Sequence, residues 1–144
     1  MYASYDFYTD TYYGSLIAAQ DFPRLSSHAS DFLDYYTRGK AASVTDEDTL
    51  IAIRKACCAV AEQMWTDETN KAIVAKAQAS MLSANVGELK SESVGSWSVS
   101  YATASDYMGA DAKSAENASC AVYARIAARY LTNTGLLYRG GGYC

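Results

Sequence analysis

Proline and histidine are nearly missing from this chain: Pro23 and His28 are the only ones. One proline gives no Pro-rich linker along which to divide the sequence. One histidine, with no Ser or Cys at a readable spacing, marks a structural position rather than half of a nucleophile-and-base pair. There is no C-x-x-C. Cys57 and Cys58 are sequence neighbours, which point about 100° apart on a helix and so cannot serve one metal together. With Cys120 and Cys144 they read as reduced thiols, at least one of them buried as a small hydrophobe. No apolar run approaches the roughly 18 residues of a membrane helix. The opening MYASYDFYTDTYYG lacks the basic start and apolar middle of a signal peptide. The expectation is a soluble protein made in a cytoplasm, with no membrane partner.

Basic runs are absent too. Twelve Lys and Arg are scattered along a chain of formal charge −4. That balance argues against tight DNA binding by a monomer and is compatible with DNA sliding past without sticking. Phosphate loops are missing: Gly140-Gly141-Gly142 precedes no helix, and the stretch from Gly135 to Gly142 lacks the Lys-Ser/Thr of a P-loop. No paired acids with a base and no Ser/His/Asp set can be assembled. The sequence therefore predicts no catalytic residue, no cofactor and no metal, and a protein that is not an enzyme.

The 144 residues, half of them hydrophobic, suit one domain with a real core. The pattern predicts a mainly α protein: a small bundle of about four helices, one β-hairpin before the last helix, and extended terminal arms. Residues 1–20 form the N-terminal arm, with Tyr2, Tyr5, Tyr8, Tyr12 and Tyr13 and a short turn capped by Ser4. The arm packs either on its own domain or on a neighbour, since tyrosine is enriched at interfaces.

The first long helix begins at Asp21, with Pro23 in its first turn, and carries Phe22, Leu25, Ala29, Phe32, Leu33 and Tyr36 on one face until Thr37–Gly39. The second starts at Thr45-Asp46-Glu47-Asp48, a capping-box pattern with Asp in the Glu position. Leu50, Ile53, Cys57, Val60 and Met64 follow as its core stripe, and Trp65 closes it. TDETN, residues 66–70, reads as a break. A third, shorter helix, capped by Thr69 or Asn70, then runs to about Leu82 with Ile73, Val74, Ala77 and Met81 as its apolar positions. The last helix starts after Asp106 or Asp111 and runs to about Leu131, its face holding Ala115, Ser119, Val122, Ile126 and Tyr130, with Gly135 as its cap.

Between them, SESVGSWSVSY (91–101) alternates Ser96, Ser98 and Ser100 with Trp97, Val99 and Tyr101 around a Gly95-Ser96 turn. A hairpin over 88–103 is marginal alone. Its rings either cap their own bundle or meet another chain. The tail over 133–144 offers Leu136, Leu137 and Tyr138, followed by three glycines, and either docks on a partner or tucks into its own fold.

Four stretches together resemble the tailed-phage head–tail connector family, also called head completion or adaptor proteins. They are YDFYTDTYYG near the start, DFPRLSSHASDFLDYYT (21–37), SESVGSWSVSY, and YLTNTGLLYRG (130–140). The resemblance implies a structural virion protein. About twelve copies would close into a ring between the portal protein and a neck or tail protein. Genomic DNA would pass through the channel without sequence-specific binding. It implies a place at the head–tail junction of the virion, reached from the host cytoplasm. On that reading the first interface candidates are Val94, Trp97, Val99 and Tyr101, then Leu137, Tyr138 and Arg139. The competing reading is a monomeric helical protein-binding module that grips one partner by its apolar tail.

Overall fold

A computed structural model describes residues 1–84 and 111–138. The described part is mainly helical: α1 (Tyr5–Asp10), α2 (Phe22–Thr37), α3 (Glu47–Ala84) and α4 (Asp111–Leu131), with 3₁₀ turns at Lys40–Ser43 and Thr132–Thr134. The expected hairpin over 88–103 lies outside the described residues. The chain divides into two compact units, one of Met1–Asp67 with Cys120–Cys144 and the other of Glu68–Ser119.

The first unit holds the core. α2 starts where Asp21 and Pro23 place it, although the Asp21 side chain makes no capping hydrogen bond. It buries Phe22, Leu25, Ala29 and Leu33 along one stripe. It ends at Arg38 and Gly39, both left-handed (φ 55° and 76°), whose N–H groups return to Asp34 O and Tyr35 O. That reversal satisfies carbonyls the helix end would otherwise leave open. α3 packs Ile53, Ala56, Cys57, Val60 and Ala61 into the same cluster, and α4 adds Ala127 and Leu131.

Several expectations are corrected. The N-terminal segment packs on its own domain, one of its two readings, but is partly helical and not an extended arm. Ser4 Oγ accepts from the Phe7 N–H and caps a real helix, and Ala3, Tyr8 and Ile17 lie in the core. The cap of α3 is one residue later than the capping-box reading: Asp46 Oδ2 accepts from the Thr49 N–H (3.0 Å) and the Thr49 hydroxyl (2.8 Å). These bonds hold the exposed Asp46 carboxyl below its ordinary value. TDETN does not break the helix. Thr66 Oγ1 donates to Glu62 O (2.9 Å) and Gln63 Nε2 to Asp67 Oδ1 (2.9 Å), so these short polar groups find partners one turn back within α3. With no Gly or Pro present, nothing forces an end there. The second and third expected helices are therefore one.

The face of α4 is corrected in part. Ile126 and Tyr130 pack against the core as expected, but Val122 is exposed, and Tyr123, Ala127 and Leu131, spaced by four, join the packed side, with Ala127 and Leu131 fully buried.

A polar seam runs through this otherwise apolar core. Ser26 Oγ donates to Ala3 O (2.7 Å), Ser30 Oγ donates to Ser26 O (2.7 Å) and accepts from the Tyr2 N–H (2.9 Å). The Cys57 thiol lies 3.5–3.6 Å from both hydroxyls. The first residues of the chain are thus tied to the middle of α2. Cys57 and Cys58 are buried free thiols and Cys120 an exposed one, as the absence of C-x-x-C suggested. Burial, with the neighbouring Cys57 and Glu62 charges, pushes the Cys58 thiol up to about 12.

Candidate interaction surfaces

A polar constellation is built on the aromatic N-terminal segment. Steps of three and four in Tyr5, Tyr8 and Tyr12 put three rings on one side of α1 and its exit. Tyr8 stacks on Phe22 with centroids 4.7 Å apart and on Tyr12 at 5.8 Å. The Glu62 carboxylate receives both hydroxyls, Tyr8 Oη on Oε1 at 2.8 Å and Tyr12 Oη on Oε2 at 3.1 Å. Tyr8 Oη in turn accepts the N–H groups of Leu16 (3.0 Å) and Ile17 (3.2 Å), closing the loop after α1 onto the ring. The Tyr2 hydroxyl donates to Asp34 Oδ1.

These contacts favour neutral phenols. Burial, then the Glu62 carboxylate, pushes Tyr8 up to about 12, with the Ile17 and Leu16 N–H groups pulling the other way. Burial followed by the Glu62 charge and the neighbouring Tyr130 raises Tyr12. Burial and then the Asp34 carboxylate raise Tyr2. A phenol raised in the folded state contributes stability that is fully present below the unfolded value near 10. That stability is lost as pH rises through the folded value. Loss should thus begin above about pH 10 and, for Tyr8, extend to about pH 12. An alkaline titration followed by tyrosinate absorbance and circular dichroism checks this. Tyr2, Tyr8 and Tyr12 should ionise together with loss of helical signal. Ionisation of all tyrosines before any loss of helix would contradict the Glu62 and Asp34 pairings.

Two shallow clefts lie in the first unit. One, about 230 Å³, is lined by Tyr36, Thr37, Arg38, Lys40, Leu136, Leu137 and Tyr138. The other, about 270 Å³, has Tyr12, Leu16, Glu62, Arg129 and Tyr130 among its lining residues. In it the carboxylate is already taken by two phenols. Among the described residues no group of three His, Cys, Asp or Glu side chains is placed to hold a metal, and every buried side-chain polar atom has a partner. His28 is exposed on the outer side of α2. Among the described residues no helix is long and apolar enough to cross a membrane.

Of the interface residues expected from the sequence, Val94, Trp97, Val99, Tyr101 and Arg139 lie outside the described residues. The tail divides between its two readings. Leu136 is buried and Leu137 half-buried, while Tyr138 is 70% exposed. Lys40 Nζ donates to the Tyr138 carbonyl at 2.6 Å and holds the tail against the end of α2.

Other exposed apolar side chains lie outside the interface residues expected from the sequence. Tyr13 is exposed with a left-handed backbone (φ 59°), beside exposed Leu16. The adjacent Gly14 was the only hint of a reversal there. In the second unit every residue from Glu68 to Met81 is exposed, including Ile73, Val74 and Met81, the apolar positions of the expected third helix. No family model, no curated protein and no solved structure matches the chain.

Proposed function

We propose that the chain is a structural virion protein, a head–tail connector whose copies, about twelve of them, form a ring between the portal and a neck or tail protein. The observation that carries this reading is the exposed apolar surface of α3 beyond residue 67. A stable helical scaffold that leaves Ile73, Val74 and Met81 more than half exposed is suited to being covered by another chain. The clefts support a geometric role over a chemical one, since both fall below the roughly 300–1,000 Å³ of small-molecule pockets. The order of the four connector-like stretches, from the Tyr-rich start to the tail, supports the family. The net charge of −4 suits a channel through which genomic DNA moves without sequence-specific binding. On this reading the protein works at the head–tail junction and waits in the host cytoplasm before assembly.

A monomeric helical module is the second reading. It is favoured by Tyr138, exposed at the rim of a cleft its own tail helps to line. Light scattering and negative-stain imaging of the concentrated protein separate the two. Rings with a central hole are expected for the connector. A protein that remains monomeric at the highest attainable concentration would move the assignment to the binding module.

A further inference from the structure

The end of α2 and the tail meet at a cleft within the first unit. Arg38 and Gly39 end α2 in the left-handed region, and the Gly39 N–H returns to Asp34 O at 2.7 Å. Lys40 then opens the 3₁₀ turn. After α4, left-handed Gly135 turns the chain, and the Tyr138 N–H reaches Gly135 O at 3.1 Å. Leu136 is buried and anchors the tail. Lys40 Nζ joins the two segments through the Tyr138 carbonyl at 2.6 Å. The cleft they leave has a volume of about 230 Å³.

The lining inverts the charge of the chain. Arg38 and Lys40 line the cleft and no acid does, although the sequence has 16 Asp and Glu against 12 Lys and Arg. Asp34, the nearest acid back along α2, has its carboxylate engaged by the Tyr2 hydroxyl. Arg38 and Lys40 are both exposed, and among the described residues neither pairs with a carboxylate. An ammonium has three donors, so Lys40 keeps two after its bond to the tail. Tyr36, Leu136, Leu137 and Tyr138 give the same cleft an apolar and aromatic side.

We infer that this cleft docks a partner protein through an acidic segment, an Asp or Glu beside an apolar residue. The planar fork of Arg38 matches a carboxylate in two parallel hydrogen bonds, and Lys40 adds a point charge. The apolar neighbour rests on Leu137 and on the Tyr138 ring, which is 70% exposed and amphipathic. A cleft of about 230 Å³ takes one or two side chains of a protein rather than a whole small molecule. Nucleic acid fits less well, because phosphate binding draws on rows of cations, and here two stand in an acidic chain. All the lining residues belong to one copy, so the site does not depend on ring formation. It adds the chemistry of a partner to the proposed function.

Saturation-transfer NMR on the full chain tests it, since the signal is read on the probe and serves for a monomer and a ring alike. The probes are a capped tetrapeptide alternating Glu and Leu, its counterpart with Gln for Glu, and an octathymidylate. The Glu peptide should bind saturably, and the Gln peptide roughly 10-fold more weakly, because the charge-assisted bonds are lost. Arg38→Gln/Lys40→Gln should weaken the Glu peptide to the level of the Gln peptide. Lys71→Gln/Lys76→Gln, which removes two exposed cations from the second unit, should leave it unchanged. All four positions are exposed, so both variants should keep the wild-type helical signal. Equal binding of the two peptides, no binding of either, or equal weakening by both variants would overturn the inference. Tighter binding of the octathymidylate, lost in Arg38→Gln/Lys40→Gln, would overturn it in favour of a phosphate site. None of these outcomes bears on whether the chain forms rings.

Discussion

Removal of residues 1–20 is expected to abolish cooperative folding of the first unit, not merely to loosen an arm. The segment buries Tyr8 and Ile17 to within 1% of full coverage, together with Ala3. Each large side chain withdrawn from water contributes about 1.5–3 kcal/mol. Its loss would also uncover Phe22, which Tyr8 covers at 4.7 Å between centroids, and the Leu25–Ala29 side of α2. The polar seam would suffer as well. Ser26 Oγ would lose Ala3 O, and Ser30 Oγ would lose the Tyr2 N–H. The Glu62 carboxylate would lose both phenols. Together these reach about 5 kcal/mol or more, comparable with the whole stability of a small domain. Urea unfolding followed by far-ultraviolet circular dichroism provides the check. The truncated chain should show a low helical signal and no sigmoidal transition. A cooperative melt at the wild-type midpoint would mean that the segment is a detachable arm after all.

That segment also shows where the sequence was legible and where it was not. α2 could be read because 16 residues give a 3.6-residue period time to repeat, and Pro23 marks its start. Tyr5, Tyr8 and Tyr12 have the same spacing, and Ser4 the right chemistry for a cap. A helix of only six residues is nevertheless too short for periodicity to announce it. The stripe Ile53–Cys57–Val60 was legible as core for the same reason as α2. Ile73, Val74 and Met81 continue an apolar pattern equally well, yet all three are exposed. Periodicity shows which residues share a helix face. What covers that face is decided by distant parts of the chain or by another molecule.

The false break at TDETN has a different origin. Thr, Asp and Asn favour helix ends when their side chains capture free backbone N–H groups. Here Thr66 bonds the Glu62 carbonyl and Asp67 accepts from Gln63, while the Tyr123 hydroxyl reaches Asp67 Oδ2 at 2.7 Å. Those tertiary and one-turn partners override the local preference. The Glu62 site was hidden similarly. A lone Glu bordering an apolar stripe looks like a solvated edge until tyrosines 50 and 54 positions earlier are brought onto it.

Gly14→Ala should be the most damaging single methyl group that can be added to the described glycines. Gly14 is not in the left-handed region, so its backbone tolerates a side chain. Space is what it lacks. A Cβ there would stand 2.0 Å from Tyr8 Cε2 and 2.3 Å from Cζ. A flexible neighbour could swing away, but this ring cannot. It is fully buried and stacked on Phe22, and its hydroxyl is fixed by Glu62 on one side and by the Leu16 and Ile17 N–H groups on the other. Relief requires moving the loop after α1 or breaking the phenol's bonds. The expected loss is about 3 kcal/mol, at the upper end of the usual overpacking range. Gly39→Ala and Gly135→Ala are the controls. Both glycines are left-handed (φ 76° and 73°) with nothing within 4 Å of the added carbon, so each should lose about 1 kcal/mol from backbone strain alone. A double-mutant cycle in urea assigns the cause. Tyr8→Phe should not rescue Gly14→Ala, because the clash is with ring carbons. Tyr8→Ala should make Gly14→Ala nearly neutral while being costly itself. If Gly14→Ala costs no more than the two controls, the ring is not held where its hydrogen bonds place it, and the N-terminal segment is less firmly seated than its burial implies.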